Sequence, residues 1–258
     1  MGNIVALSPN VADDVLISAD LHGDRANFQQ VLAIADMAAH PRRHLVLQEV
    51  LHGGPAYPNG ACRSHAMLEA VAELILSYPG RVHYLLSNHE LSELIDFPIR
   101  KHGVILLVPF RMGIQTAYGD DWELVLAAYK SFIASCPLAL CLPGNTLVSH
   151  SAPEKVDSLG FDTTVFHRPL QAEDLAPDGA VGQLVWGRDY RQENVDCFAE
   201  MVRARLLIHG HTHCPDGFSV PNDKQIILDC CSPTSACLLL PARHNITMAD
   251  AVRMVQTF

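Results

Sequence analysis

The 258-residue sequence is poor in the features that mark the specialised chain types. No apolar run approaches the ~20 residues needed to span a bilayer. The opening MGNIVALSPN has neither the basic region nor the long apolar stretch of a secretory signal, so a soluble cytoplasmic protein without a membrane partner is expected. Charged residues make up only 18% while hydrophobic ones reach 49%, which excludes a disordered or collagen-like chain. Basic residues are in deficit: 18 Lys and Arg against 28 Asp and Glu leave a formal charge of −10. That balance repels nucleic acid, and no nucleic-acid partner is expected. The eight cysteines include no C-x-x-C pair and read as buried small hydrophobes in a reducing compartment. Repeats, low-complexity tracts and long linkers are also missing. Residues 1–258 are therefore expected to form a single domain, near the upper size for one core.

What is present is an alternation of short apolar runs with longer helical patterns, the signature of an α/β chain. Val15–Ala19, His44–Gln48 and Val82–Leu86 read as strands. The helical spacing of Phe28, Val31, Leu32 and Ala35 predicts a helix over 26–39, ended by Pro41, and a second amphipathic pattern covers 64–77. From Glu90 to about Pro137 the chain reads as mostly helical, with Trp122, Leu126, Tyr129 and Phe132 on the core face. Further strands are expected at Thr146–Ser149, Leu206–Ile208, Gln225–Asp229 and Ala236–Leu240. The Pro-, Asp- and Gly-rich stretch 153–182 reads as an irregular excursion. Residues 92–130 and 153–182 are expected to wall the crevice.

Polar residues recur just beyond these strands. Asp20-Leu21-His22 follows the first, Glu49 and His52 the second, Asn88-His89-Glu90 the third, His150 the strand at 146–149, and Gly210-His211-Thr212-His213 the strand at 206–208. Sites in α/β sheets form outside the carboxyl ends of strands, so these segments can converge on one crevice. Any one of these histidines reads most simply as a hydrogen-bonded loop residue, and Asp20 or Asn88 alone as a cap or turn former. Their recurrence after strand upon strand points instead to a metal site. A mixed nitrogen and oxygen donor set suits first-row divalent ions better than Ca²⁺ or a thiolate zinc site.

This ordered set resembles the calcineurin-like metallophosphoesterases, most closely the phosphoprotein-phosphatase branch. The branch pattern Gly-Asp-x-Val-Asp-Arg-Gly aligns with Gln48 through Gly54. Leu85-Leu86-Ser87-Asn88-His89-Glu90 and Trp186-Gly187-Arg188 continue the likeness, which runs from about Asp14 to Leu240. The resemblance implies a two-layer β-sandwich flanked by α-helices and two divalent metal ions, Mn²⁺ first, with Fe or Zn²⁺ as alternatives. It assigns Asp20, His22, Glu49 and His213 to one ion and Glu49, Asn88, His150 and His211 to the other, with Glu49 shared. It implies hydrolysis of a phosphate ester, on a protein or a small molecule, by a hydroxide bridging the ions. His89 would protonate the leaving oxygen, and Arg188 is the best clamp for the phosphate.

Departures from the pattern concentrate after the second strand. Glu49 stands where the family has aspartate, Gln48 where it has glycine, and Gly53 where it has an arginine. His52 replaces the aspartate that orients the catalytic histidine, so the catalytic pair here is His89 with His52. These changes motivate a second reading, a degenerate relative that binds metal, phosphate or a protein with little turnover. A third is a dinucleoside-polyphosphate hydrolase. Arg63 and Arg111 read as solvated charges, and Arg188 could instead pair with Asp189.

Overall fold

The computed structural model describes residues 3–243 and 246–258. Two mixed sheets face each other, the two-layer β-sandwich flanked by helices that the resemblance implies. One sheet runs in the order β1 (Ile4–Ala6), β7 (Ala139–Leu142), β8 (Thr146–Ser149), β9 (Leu206–His209), β11 (Gln225–Leu228), β10 (Phe218–Ser219). The other runs β13 (Val255–Thr257), β12 (Ala236–Pro241), β2 (Asp14–Asp20), β3 (Arg43–Gln48), β4 (Val82–Leu85). A separate hairpin pairs β5 (Arg100–Lys101) with β6 (Val104–Ile105).

The central strands β2, β3 and β4 are parallel, as are β8, β9 and β11. Buried on both faces, such strands read as continuous apolar runs, and Val15, Leu16, Ile17, Leu45, Val46 and Leu47 are fully buried. Parallel pairing has a further consequence: the carboxyl ends of each set leave the sheet at one edge. The β2–β3 register breaks between Ile17 and Asp20, a bulge at the point where Asp20 leaves the strand.

Helices α1 (Arg25–Ala35), α2 (His65–Ser77) and α3 (Asn88–Leu94) follow β2, β3 and β4. Asp24 caps α1 by accepting from the Asn27 amide at 3.0 Å. The helix stops at Asp36, which turns left-handed (φ 37°), earlier than the 26–39 expectation: a local backbone cap, and not Pro41, ends it. The expected helical stretch 90–137 holds α4 (Leu107–Tyr118) and α5 (Trp122–Ala134) but is broken by the β5–β6 hairpin. Of its expected core face, Tyr129 is buried, whereas Trp122, Leu126 and Phe132 are only partly covered.

The 153–182 excursion contains the single turns α6 (Val156–Leu159) and α7 (Ala172–Leu175) and the start of α8 (Ala180–Trp186). Helices α9 (Gln192–Met201) and α10 (Met248–Arg253) and strands β1, β7, β10 and β13 had no clear pattern in the sequence. The cysteines are free; Cys214, Cys230 and Cys237 are buried and the others partly so. No described helix is long and apolar enough to cross a membrane.

Candidate metal centre

The strand ends do converge. Asp20, at the end of β2, accepts a hydrogen bond from the His211 backbone amide at 2.8 Å, although 191 residues separate them. A Cβ on Gly210 would sit 2.4 Å from Asp20 Oδ1, so only glycine lets that loop close on the carboxylate. Asn88 Oδ1 lies 2.8 Å from His150 Nε2 and 3.1 Å from His211 Nδ1. Donors held about 2.1 Å from one ion at right angles lie about 3 Å apart, so this spacing is already that of neighbouring ligands.

Glu49 occupies the centre. One group of potential ligands is His22, Glu49 and His89, a second is Glu49, His150 and His211, and Glu49 alone belongs to both. Its Oε2 is 3.4 Å from His22 Nε2; its Oε1 is 3.6 Å from His150 Nε2 and 3.8 Å from His89 Nε2. Yet Oε1 is buried and finds no hydrogen-bond partner among the described residues. A buried acceptor without a donor costs about 1–3 kcal/mol, and a cation removes that cost. The donor set therefore fits divalent metal.

The protonation states agree with this. Burial pushes the Glu49 carboxyl up to about 8 and raises Asp20 as well, Glu49's charge adding to the latter. Burial lowers the imidazoles of His89, His150 and His211, the last to about 3, so they are neutral, and His150 and His211 are free to ligate. Binding of Mn²⁺ at pH 7 must then displace protons from the carboxyls while His150 and His211 have none to give. Affinity is expected to rise with pH and level off above about 8. Calorimetry in buffers of different ionisation enthalpy should find protons released; a buffer-independent heat at pH 7 would contradict it.

Backbone strain falls on several of these positions. His22, Glu49, His52 and His211 all have positive φ, between 40° and 67°. Histidine tolerates that region, but for Glu49 it is a cost that the surroundings must enforce. Glu90 enforces it: its Oε1 accepts from the Val50 and Leu51 amides at 3.0 and 3.1 Å.

Ring orientation is set from behind. His22 Nδ1 donates to the Leu51 carbonyl at 3.0 Å, which turns Nε2 to the centre. The Gln48 side chain, foreign to the family pattern, lies within 3.3 Å of His150 Nδ1 through Oε1 and donates from Nε2 to the Ser18 carbonyl at 3.0 Å. Gln48 is thus a positioning residue. Gln48→Leu should lower metal affinity about 10–100-fold, read by competition with a chelator, with the fold intact.

His213 stands apart. It lines the same cleft as Asp20, His22 and Glu49, but its side chain is 67% exposed and its ring belongs to neither ligand group. Its Nδ1 lies 3.1 Å from Asp229 Oδ2 and 2.8 Å from Ser232 Oγ. A carboxylate behind one ring nitrogen is the usual backing of a ligating histidine and leaves the other nitrogen available. Asp229 was not singled out from the sequence; its place one residue beyond β11 was the available signal.

Behind His89, a chain of buried contacts corrects the expectation for His52. His52 Nδ1 is 2.9 Å from His89 Nδ1, and His52 Nε2 is 2.9 Å from Glu93 Oε1. The orienting carboxylate is therefore displaced by one side chain, and it is not missing. Arg111, expected to be a solvated charge, donates from Nε and Nη2 to Glu93 Oε2, each at 3.2 Å.

The cleft itself encloses about 400 Å³. Arg188 lines it and donates from Nη2 to the His211 carbonyl at 3.2 Å. The alternative pairing with Asp189 is not formed: that carboxylate binds Arg191 at 2.6 Å. Arg100 and Lys101 of the β5–β6 hairpin complete a cationic rim that the sequence did not disclose. From the expected walls only this hairpin region contributes; residues 153–182 do not line the cleft. Arg63 packs over the Tyr57 ring at 5.0 Å, outside it.

A sandwich whose parallel strand ends deliver His, Asp, Asn and a shared carboxylate defines a class, and sequence comparison places the chain in it. Residues 14–215 match the profile of the calcineurin-like phosphoesterases, and the chain belongs to that family. No curated protein matches it in sequence. Among solved structures it is similar to a protein serine/threonine phosphatase from Saccharomyces cerevisiae, itself similar to human phosphatase PP5. That likeness has 15% identity and a TM-score of 0.68 over 100% of this chain and 84% of that one. A cold-active protein-tyrosine phosphatase of a psychrophilic Shewanella species is also similar, with 15% identity and a TM-score of 0.61 over 93% of this chain and 78% of that one. At such identities the likeness speaks for the fold. Family and fold together support metal-dependent phosphoester hydrolysis.

Proposed function

We propose that residues 1–258 act as one domain, a phosphoesterase that holds two divalent ions, Mn²⁺ first among them, and hydrolyses a phosphomonoester on a protein or small molecule. Asp20, His22, Glu49 and His213 hold one ion, and Glu49, Asn88, His150 and His211 the other. The observation that carries this reading is the buried Glu49 carboxylate, shared by both ligand groups, with an oxygen that lacks a donor. When bound, the ions supply Lewis-acid polarisation of the phosphoryl group and of the attacking water.

The chain's own groups do the rest. Arg188 binds the non-bridging phosphoryl oxygens, and the rim of Arg100 and Lys101 draws an anionic ester toward a protein whose net charge is −10. His89, at the cleft wall, presents Nε2 to the leaving oxygen and protonates it as the bond to phosphorus breaks. Its lowered proton affinity keeps it neutral at rest; the negative phosphate raises it when the ester binds, and Nε2 takes up from solvent the proton it then delivers. Free thiols and a negative surface fit a cytoplasmic protein that does not act on nucleic acid.

The test is hydrolysis of an aryl phosphate by Mn²⁺-loaded protein. Turnover should be lost on chelation and in Asp20→Ala or His211→Ala. Loaded protein that is inert across a broad phosphate panel would overturn the proposal and favour a binding module.

A further inference from the structure

Glu93 lies on α3 four residues after His89, so the two side chains share a helix face. Its side chain is 1% exposed and that of His52 0%. Inside that pocket each proton position is dictated by the next. Arg111 is a permanent cation and only donates, so it holds Glu93 as an acceptor through Oε2. Glu93 Oε1 then accepts from His52 Nε2–H. A neutral His52 protonated there has its lone pair on Nδ1, which accepts from His89 Nδ1–H. The last nitrogen, His89 Nε2, faces the cleft.

We propose that Glu93, anchored by Arg111, is the positioning residue of this site: through His52 it fixes the tautomer and the orientation of His89. The inference rests on the reading of His89 as proton donor. The chain of three replaces the single carboxylate that the family pattern sets against that ring. Protons balance along it. His89 as imidazolium donates Nδ1–H to His52 and Nε2–H to the leaving oxygen. After transfer it is the neutral Nδ1–H form, still bonded to His52, and no proton needs to move between the other members.

Glu93→Gln is the discriminating change because it keeps size and removes the direction. The amide oxygen must face the Arg111 donors, so the amide NH₂ faces His52 Nε2. His52 must then carry its proton on Nδ1, and His89 Nδ1 becomes an acceptor. A His89 so held cannot become imidazolium without opposing two N–H groups, as when amide for carboxylate in a catalytic triad traps the wrong tautomer.

The experiment compares wild type and Glu93→Gln on esters of graded leaving-group basicity. For an alkyl phosphate kcat should fall about 10³-fold, and for a dinitrophenyl phosphate, whose leaving oxygen needs no proton, less than about 10-fold. KM and metal content should be unchanged. Histidine ¹⁵N spectra of the Zn²⁺-loaded proteins should show His52 protonated at Nε2 in the wild type and at Nδ1 in the variant. Adding His52→Asp to Glu93→Gln should recover alkyl-phosphate turnover, since a carboxylate then meets His89 directly. Equal losses across leaving groups, or unaltered His52 tautomers, would overturn the inference. Inert wild type would overturn the phosphoesterase reading alone, and the tautomer shift would still decide this one.

Discussion

Glu49→Gln is expected to leave a folded protein that holds at most one ion and hydrolyses aryl phosphates at least about 10³-fold more slowly. Glutamine matches the side chain in size but removes the negative charge and one of two acceptor oxygens. Glu49 is the only residue common to both ligand groups, with His22 on one oxygen and His150 and His89 near the other. A neutral amide there would also turn its NH₂ toward at least one ring nitrogen meant for a cation. The metal-free fold should tolerate the change near pH 7. The buried carboxyl there is already protonated, with its value pushed up to about 8, so a neutral group replaces a neutral group. Metal analysis and denaturant midpoints on the same preparations separate the two effects. A variant that still binds two ions, or one that fails to fold without metal, would contradict this account of Glu49.

Restoring the family's arginine at position 53 should damage the protein. A Cβ at Gly53 would lie 2.2 Å from the His22 carbonyl oxygen, a backbone atom with nowhere to go. The two loops meet backbone to backbone: a Cβ at Gly54 would lie 2.1 Å from the Gly23 carbonyl, and Gly23 and Gly54 have φ near +70°. Gly53→Arg is expected to cost about 3 kcal/mol or more in urea unfolding, the upper range for overpacking. It should also shift His22 away from Glu49 and lower metal content. A variant as stable as the wild type would show that the loops can part. The close approach explains why the arginine is missing: this chain packs the loops after its first and second parallel strands too tightly to admit it, while Arg188 lines the same cleft as Glu49. Decay of a once-active site is not needed to account for Gly53.

The strands that carry the site were legible because parallel, doubly buried strands read as apolar runs, and each ends in a polar residue at a small-residue loop. Short edge strands were not: Ile4–Ala6 and Val255–Thr257 are three residues each and have no period to detect. In the same way, the N-cap at Asp24 and the left-handed Asp36 bound α1 through local geometry that the apolar spacing does not encode. At the site, the polar residues just beyond the strands could be read directly, whereas the groups behind them could not. Gln48 read only as a departure from the family's glycine, whereas its amide lies between His150 and the Ser18 carbonyl. His52 looked like a lost carboxylate, because Glu93 lies 41 residues away in sequence. The one available clue was the four-residue spacing from His89 to Glu93 on a helix. Arg100 and Lys101 sit on a hairpin within a stretch read as helical, which hid their place on the rim.

The most direct test is anomalous diffraction from crystals of the Mn²⁺-loaded protein. Two manganese peaks should flank the Glu49 carboxylate, one on the side of His22 and the other on the side of Asn88, His150 and His211. A single peak, or peaks that do not touch Glu49, would contradict the shared-carboxylate centre.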